Sequence, residues 1–270
     1  MKVSSNGIEM NYTVEGPEDA PVVVMSHSLA SSHRMWDLQM PVLSDYRVYR
    51  FDTRGHGDTD APEGPYDLDM LVDDAKGLLD ALGLDKVHFV GLSMGGMIGQ
   101  YLAIKYPEVL LSVSLCATTS YTPEEGAPAW QERIDTAREQ GMEVLVDGTV
   151  ERWFSVEFIA GNESIVGPIG ELVRTTPVQG YANCIGAIMK INVTDRLKST
   201  NVPTLIIAGE DDQSTPVAGH EAIHGAIANS ELVVIPSAKH FVNVEQSSTF
   251  NDVLTRFLAE QVGRTAQAAE

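Results

Sequence analysis

The segment Gly91-Leu92-Ser93-Met94-Gly95 constrains this chain more than any other. It stands between an apolar run at 87–90 and an apolar helical pattern over Met94–Lys105. A chain that passes from strand to helix through one residue must turn sharply, and a glycine two places either side of the serine leaves room for that turn. The turn lifts the hydroxyl of Ser93 above the strand end, at the start of a helix, where it can serve as a nucleophile. A glycine-rich turn with an incidental serine is the competing reading, and the strand-then-helix context weighs against it.

Around this turn the chain alternates. Residues 8–14 have the alternation of an edge strand, and Val22–Ser26, Arg47–Phe51, 87–90, Leu110–Cys116, 204–208 and 232–235 read as more fully buried strands. Helical periodicity lies between most of them, over 68–82, Met94–Lys105, 217–228 and 246–260, with Gly83 as a stop signal after the first. Strands alternating with helices predict an α/β fold with a mostly parallel sheet covered by helices on both faces. The alternation fails between 118 and 200, where helical segments are joined by Gly and Pro breaks. The expected organisation is therefore a core of 1–117 and 201–262, a helical cap insertion over 118–200, and a flexible tail at 263–270.

A serine needs a base, and the base needs a third group to orient it. After the strand at 204–208 comes Gly209-Glu210-Asp211-Asp212-Gln213-Ser214-Thr215-Pro216, and after the strand at 232–235 comes Ser237-Ala238-Lys239-His240. Ser93, an acid from the first loop and His240 would all stand past the carboxyl ends of parallel strands, where open α/β sheets bind ligands. His240 is the expected base, and three adjacent carboxylates compete for the third role. An oxyanion hole needs two backbone donors. Met94 N–H, next to the nucleophile, is one, and Leu29 N–H, in the loop His27-Ser28-Leu29-Ala30, is assigned as the other, with His27 as a buttress of that loop. His33, His56, His88, His220 and His224 are read as structural or surface groups. Asp52 and Arg54 are expected to pair with each other and pin their turn.

Composition removes several other classes. Eighteen Lys and Arg against 38 Asp and Glu give a formal net charge of −20, which repels a phosphate backbone, so no nucleic-acid partner is expected. There is no P-loop, no dinucleotide fingerprint and no metal-ligand spacing, so no cofactor and no metal are implied. Cys116 reads as a buried thiol beside the only other cysteine, Cys184. No apolar run is of spanning length and the first dozen residues lack a signal-peptide core, so a soluble cytoplasmic protein with no membrane partner is expected. A homo-oligomer stays open.

Five segments carry a family likeness: Phe51-Asp52-Thr53-Arg54-Gly55-His56-Gly57, Gly64-Pro65-Tyr66, Gly91-Leu92-Ser93-Met94-Gly95-Gly96-Met97, Arg152-Trp153-Phe154 and Gly180-Tyr181-Ala182-Asn183-Cys184. By them the chain resembles the α/β-hydrolases, and within that superfamily the 3-oxoadipate enol-lactonases. The resemblance implies the order Ser, acid, His. Its acid-loop pattern, G-x-x-D-x-x-T-P, selects Asp212 over Asp211. It further implies hydrolysis of an enol-lactone bearing a carboxylate, through an acyl-enzyme. The loop His27-Ser28-Leu29-Ala30 departs from the Asn-Ser-Leu-Gly of those lactonases and is closer to general esterases. A broad carboxylesterase is the alternative; a carbon–carbon bond hydrolase and a non-catalytic ligand-binding member rank behind it. The lactonase reading expects a cation in the pocket, from Arg133, Arg138, Arg174 or Lys190, and apolar walls from Trp130, Trp153 and Tyr181.

Overall fold

The computed structural model describes residues 1–269, the side chains of 265, 266, 268 and 269 excepted. The chain opens with β1 (Lys2–Ser5) and β2 (Ile8–Glu15), then β3 (Val22–Ser26), β4 (Arg47–Phe51), α1 (Leu68–Ala81), β5 (Val87–Leu92), α2 (Met94–Lys105) and β6 (Leu110–Cys116). Helices follow without a further strand: α3 (Ala127–Gln140), α4 (Val146–Trp153), α5 (Val156–Gly161), α6 (Glu163–Thr175), α7 (Val178–Ile188) and α8 (Thr194–Leu197). Alternation resumes with β7 (Thr204–Gly209), α9 (Val217–Ala226), β8 (Ser230–Ile235), α10 (Val242–Glu245) and α11 (Ser247–Ala269).

Among the described residues the strands form one sheet in the order β1-β2-β4-β3-β5-β6-β7-β8. β1 and β2 are antiparallel to their neighbours, and every later pair is parallel. β1 had no signal in the sequence reading. It is four residues of mixed polarity, held by a hairpin turn in which Asn6 and Gly7 take φ of 45° and 79°. Side-chain alternation splits the interior in two. Val23 and Met25 of β3, with Leu205 and Ile207 of β7, enter one apolar cluster, while Val24 and Ile206 enter the other. α11 supplies Phe250 and Leu254 to the first cluster; α1 and α2 supply Leu71, Leu78 and Ile98 to the second. Helices therefore cover both faces, as the alternation predicted.

The insertion and the core approach backbone to backbone at Gly180. A Cβ on Gly180, in the first turn of α7, would collide with the carbonyl of Gly55, and a Cβ on Gly55 would collide with Gly180. One expectation needs correction here. Asp52 and Arg54 do not pair. Arg54 forks onto Asp74 of α1, at 2.7 Å from Nε and 2.6 Å from Nη2. Asp52 accepts from the N–H and ring of His33, both at 2.8 Å, and from Asn11 at 2.8 Å. Each is matched instead by a partner from a distant element, which sequence adjacency cannot show. The last helix runs on to Ala269, through most of the expected tail; residue 270 of that tail lies outside the described residues. No described helix is long and apolar enough to cross a membrane.

Candidate active site

The turn at Ser93 is as tight as the glycine spacing demands. Ser93 has φ 56° and ψ −112°, a conformation that costs an L-residue about 1–2 kcal/mol. A Cβ on Gly91 would collide with the carbonyl of Gly95, and one on Gly95 with the carbonyl of Ser26 in β3. The strained peptide is held by neighbours. Ser93 N–H donates to the Cys116 carbonyl at 2.8 Å, the Thr118 hydroxyl donates to the Ser93 carbonyl at 2.7 Å, and Gly95 N–H donates to the His27 carbonyl at 3.1 Å.

His240 lies between β8 and α10, and Asp212 in the loop between β7 and α9. These loops can meet because Gly209 has no side chain; its Cβ would press on the carbonyls of Ala238 and Lys239. His240 Nδ1 is 2.8 Å from Asp212 Oδ2. Asp212 Oδ1 accepts the N–H groups of Ser214 (2.7 Å) and Thr215 (3.1 Å), and Oδ2 also accepts the Thr215 hydroxyl at 2.6 Å. Burial alone would raise the Asp212 carboxyl, but the charge and hydrogen bond of His240 and the Thr215 bonds outweigh it and hold it below the usual carboxylate range. Asp212 is buried while Glu210 and Asp211 are exposed. An ionised carboxylate at Nδ1 fixes the ring proton there and leaves the Nε2 lone pair free. His240 and Ser93 line the same cavity. The Ser93 hydroxyl makes no hydrogen bond within the described residues, so the expected bond to His240 is not formed here. Such bonds commonly tighten only when substrate is bound.

Leu29 and Ser28 stand on the wall of that cavity beside Ser93. Neither Leu29 N–H nor Met94 N–H donates to a protein acceptor among the described residues, so both are available to an oxyanion. The Leu29 loop is held by two buried imidazoles. His27 Nε2 accepts Thr53 N–H at 2.9 Å while its Nδ1 faces the Ser28 carbonyl at 2.7 Å. His56 Nε2 accepts Ala30 N–H at 3.1 Å while its Nδ1 faces the Arg54 carbonyl at 3.2 Å. Both rings are thus neutral with the proton on Nδ1. Burial lowers His27 below its usual value and pulls His56 down to about 3.

The cavity encloses about 1120 Å³ and is walled on the cap side by Trp130, Arg133, Arg152, Trp153 and Tyr181. Arg133 stacks over the Trp130 ring at 4.7 Å. Arg152 donates to the Thr149 hydroxyl at 2.9 Å. Among the described residues neither guanidinium has a carboxylate partner. Burial lowers Arg152 and the nearby charge of Arg133 lowers it further, while the charge of Glu151 on the same cavity acts the other way, so two like charges share one wall with no salt bridge to either. Of the expected cations, Arg133 alone lines the cavity. Arg138 and Lys190 are exposed outside it, and Arg174 is tied to Glu143 and Glu171 on the surface. The sequence reading did not single out Arg152 as a cavity cation. It stands one place before Trp153 at the end of α4, and a cavity-facing cation has the same sequence signal as a solvated one. No group of His, Cys, Asp and Glu that could hold a metal ion occurs among the described residues.

Three comparisons place this geometry among known proteins. A family model described as the alpha/beta hydrolase fold matches residues 21–247. The chain is 36% identical over 250 residues to 3-oxoadipate enol-lactonase 2 of Acinetobacter baylyi, covering 92% of each chain. In structure it is similar to the enol-lactonase of Burkholderia xenovorans LB400, with a TM-score of 0.93 and 33% identity over 96% of this chain and 100% of that one. It is also similar to a thermophilic esterase of Thermogutta terrifontis solved with malate bound, with a TM-score of 0.90 and 26% identity over 97% and 98% of the two chains.

Proposed function

The chain belongs to the α/β-hydrolase family, and we propose that within it this enzyme is a 3-oxoadipate enol-lactonase or a close counterpart, opening a small lactone that bears a carboxylate. The observation that carries the reading is the pair of arginines, Arg133 and Arg152, without salt bridges on the cavity that holds Ser93. Two like charges on one cavity wall repel each other, and an anionic ligand between them would relieve that repulsion. A substrate carboxylate anchored there would leave the rest of the molecule to extend toward Ser93.

The chemistry follows from the residues. His240 Nε2 takes the Ser93 proton as Oγ attacks the lactone carbonyl, while Asp212 stabilises the imidazolium at Nδ1. Leu29 and Met94 N–H groups receive the oxyanion, each contributing about 3 kcal/mol of barrier lowering. Collapse breaks the ring C–O bond, and His240 returns its proton to the enol oxygen. The enol becomes a ketone, which opposes ring closure. Water then attacks the acyl–Ser93 ester with His240 again as base, releasing the acid. No cofactor or metal enters this sequence of steps.

The test compares a carboxylate-bearing enol-lactone with neutral p-nitrophenyl esters. The lactone should have the higher kcat/KM, and Arg133→Met or Arg152→Met should each lower it by about 10- to 100-fold, the worth of one charged hydrogen bond, with little effect on neutral esters. Equal losses on both substrates, or no loss, would remove the anion-anchoring reading. A broad carboxylesterase is the second reading. The carboxylates of Glu151 and Asp211 on the same cavity favour it, because they repel an anionic substrate.

A further inference from the structure

Glu245, at the end of α10, is a buried carboxylate, only 8% exposed. Among the described residues it has no cation partner. Its two oxygens are divided between two distant chain segments. Oε2 accepts Lys239 N–H at 2.7 Å, and Oε1 accepts Ser155 N–H at 2.7 Å. Lys239 immediately precedes His240. Ser155 lies in the cap between α4 and α5, just beyond Arg152 and Trp153 of the cavity wall. Burying a charge without a counter-ion is costly, and two short charge-assisted bonds to backbone N–H groups are what offsets it here.

The surrounding contacts run along the same seam. Phe241 N–H, on the other side of His240, donates to the Trp153 carbonyl at 3.1 Å. The Lys239 ammonium donates to the Glu151 carbonyl at 2.9 Å. The Trp153 and Phe241 rings stack with centroids 3.9 Å apart and planes 15° apart. His240 is therefore bracketed by two peptides, each tied to the strip of cap that carries Arg152 and Trp153. Aromatic stacking and the Phe241 bond fix one side of the histidine; Glu245 fixes the other.

We infer that Glu245 is a positioning residue that holds the His240 loop and the Arg152–Trp153 wall in one register, so that the base and the substrate-anchoring wall cannot move independently. This rests on the reading of His240 as the general base. Misplacing a base or an anchored substrate by about 1 Å can cost roughly 100-fold, so a bridge of this kind acts on kcat and KM together.

Glu245→Gln keeps the shape but presents an amide N–H to one of the two N–H donors, breaking one link. Ser155→Pro breaks the cap-side link with Glu245 intact. Ser155 has φ −67° and Phe154 lies at φ −132°, ψ 152°, so the backbone already suits a proline and its preceding residue, while the ring fills the space where the N–H met the carboxylate. Ser155→Ala, which keeps the N–H and loses only the hydroxyl cap on Phe158 N–H, is the reference. Turnover would be measured on p-nitrophenyl acetate and on the p-nitrophenyl half-ester of adipic acid, together with the low-field proton resonance of the Asp212–His240 bond. Glu245→Gln and Ser155→Pro should lower kcat on both esters by about 10- to 100-fold relative to Ser155→Ala, raise KM for the half-ester alone, and shift or broaden that resonance. Values of kcat, KM and resonance matching those of Ser155→Ala would overturn the inference. Should Glu245→Gln fail to fold, Ser155→Pro decides alone. Failure of the underlying reading is separate: turnover surviving in His240→Ala would remove the base assignment and this inference with it.

Discussion

Acid should weaken this fold through histidines that the interior keeps neutral. His56 is fully buried and its burial pulls it down to about 3; His88, buried in β5, is pulled down to about 4. The ordinary value of 6.5 holds for both in the unfolded chain. Between the folded and unfolded values the unfolded state binds more protons, so this stability is fully present above pH 6.5 and is lost as the pH falls through that window. At pH 5 an unfolded histidine is almost fully protonated and these folded ones are almost wholly neutral. Each then favours unfolding by about 2 kcal/mol relative to pH 8, and the two together by about 4 kcal/mol. That is a large part of the 5–15 kcal/mol typical of a domain. His27 and His220, also lowered by burial, add to it in the same direction. Urea unfolding of the parent at pH 8, 7, 6 and 5 gives the total. His56→Gln keeps an acceptor opposite Ala30 N–H and cannot titrate, so its loss between pH 8 and pH 5 should be smaller than the parent's by about 2 kcal/mol. His88→Asn, which keeps a partner for the Ser112 hydroxyl now 2.8 Å from His88 Nδ1, should do the same. Parallel pH dependences in the parent and both variants would refute the argument, because they would mean that neither ring is held neutral by the fold.

Other consequences are as direct. Ser93→Ala should lower kcat by about 10³-fold or more while leaving the unfolding midpoint near that of the parent; near-normal turnover would remove Ser93 from the reaction. Asp212→Asn should cost on the order of 10⁴-fold in kcat at neutral pH, since an amide no longer fixes the His240 proton on Nδ1, and steady-state kinetics would measure it. Gly180→Ala forces a methyl into the Gly55 carbonyl and should destabilise by about 1–3 kcal/mol, visible as a lower denaturant midpoint with unchanged m-value.

What the sequence made legible was what the backbone itself demands. Gly91, Gly95 and Gly209 each sit where a Cβ would strike a peptide, so glycine had to be written there, and the turn at Ser93 and the loop of Asp212 could be found from it. The choice of Asp212 came from the family pattern, and the geometry places that carboxylate, rather than its exposed neighbour Asp211, on the histidine. Features that depend on distant partners were opaque. The Asp52–Arg54 pairing looked natural from adjacency, yet the actual partners, His33 and Asp74, arrive from elsewhere in the chain. Arg152 was visible as part of a family likeness, but nothing in its neighbours says that its guanidinium enters the cavity. β1 was missed because four mixed residues at a sheet edge carry almost no periodic signal.

Helix α7 divides its apolar side chains between the two halves of the interior: Tyr181 and Ile185 join one cluster, Cys184, Ala187 and Ile188 the other. A lid of this construction is not an interchangeable part. Grafting one from a relative with different substrate tastes would mean recutting the hydrophobic seams on both sides of the molecule at once, and heating should melt lid and scaffold in a single event. New specificities in such a chain are more readily reached by exchanging individual wall residues than by exchanging the roof.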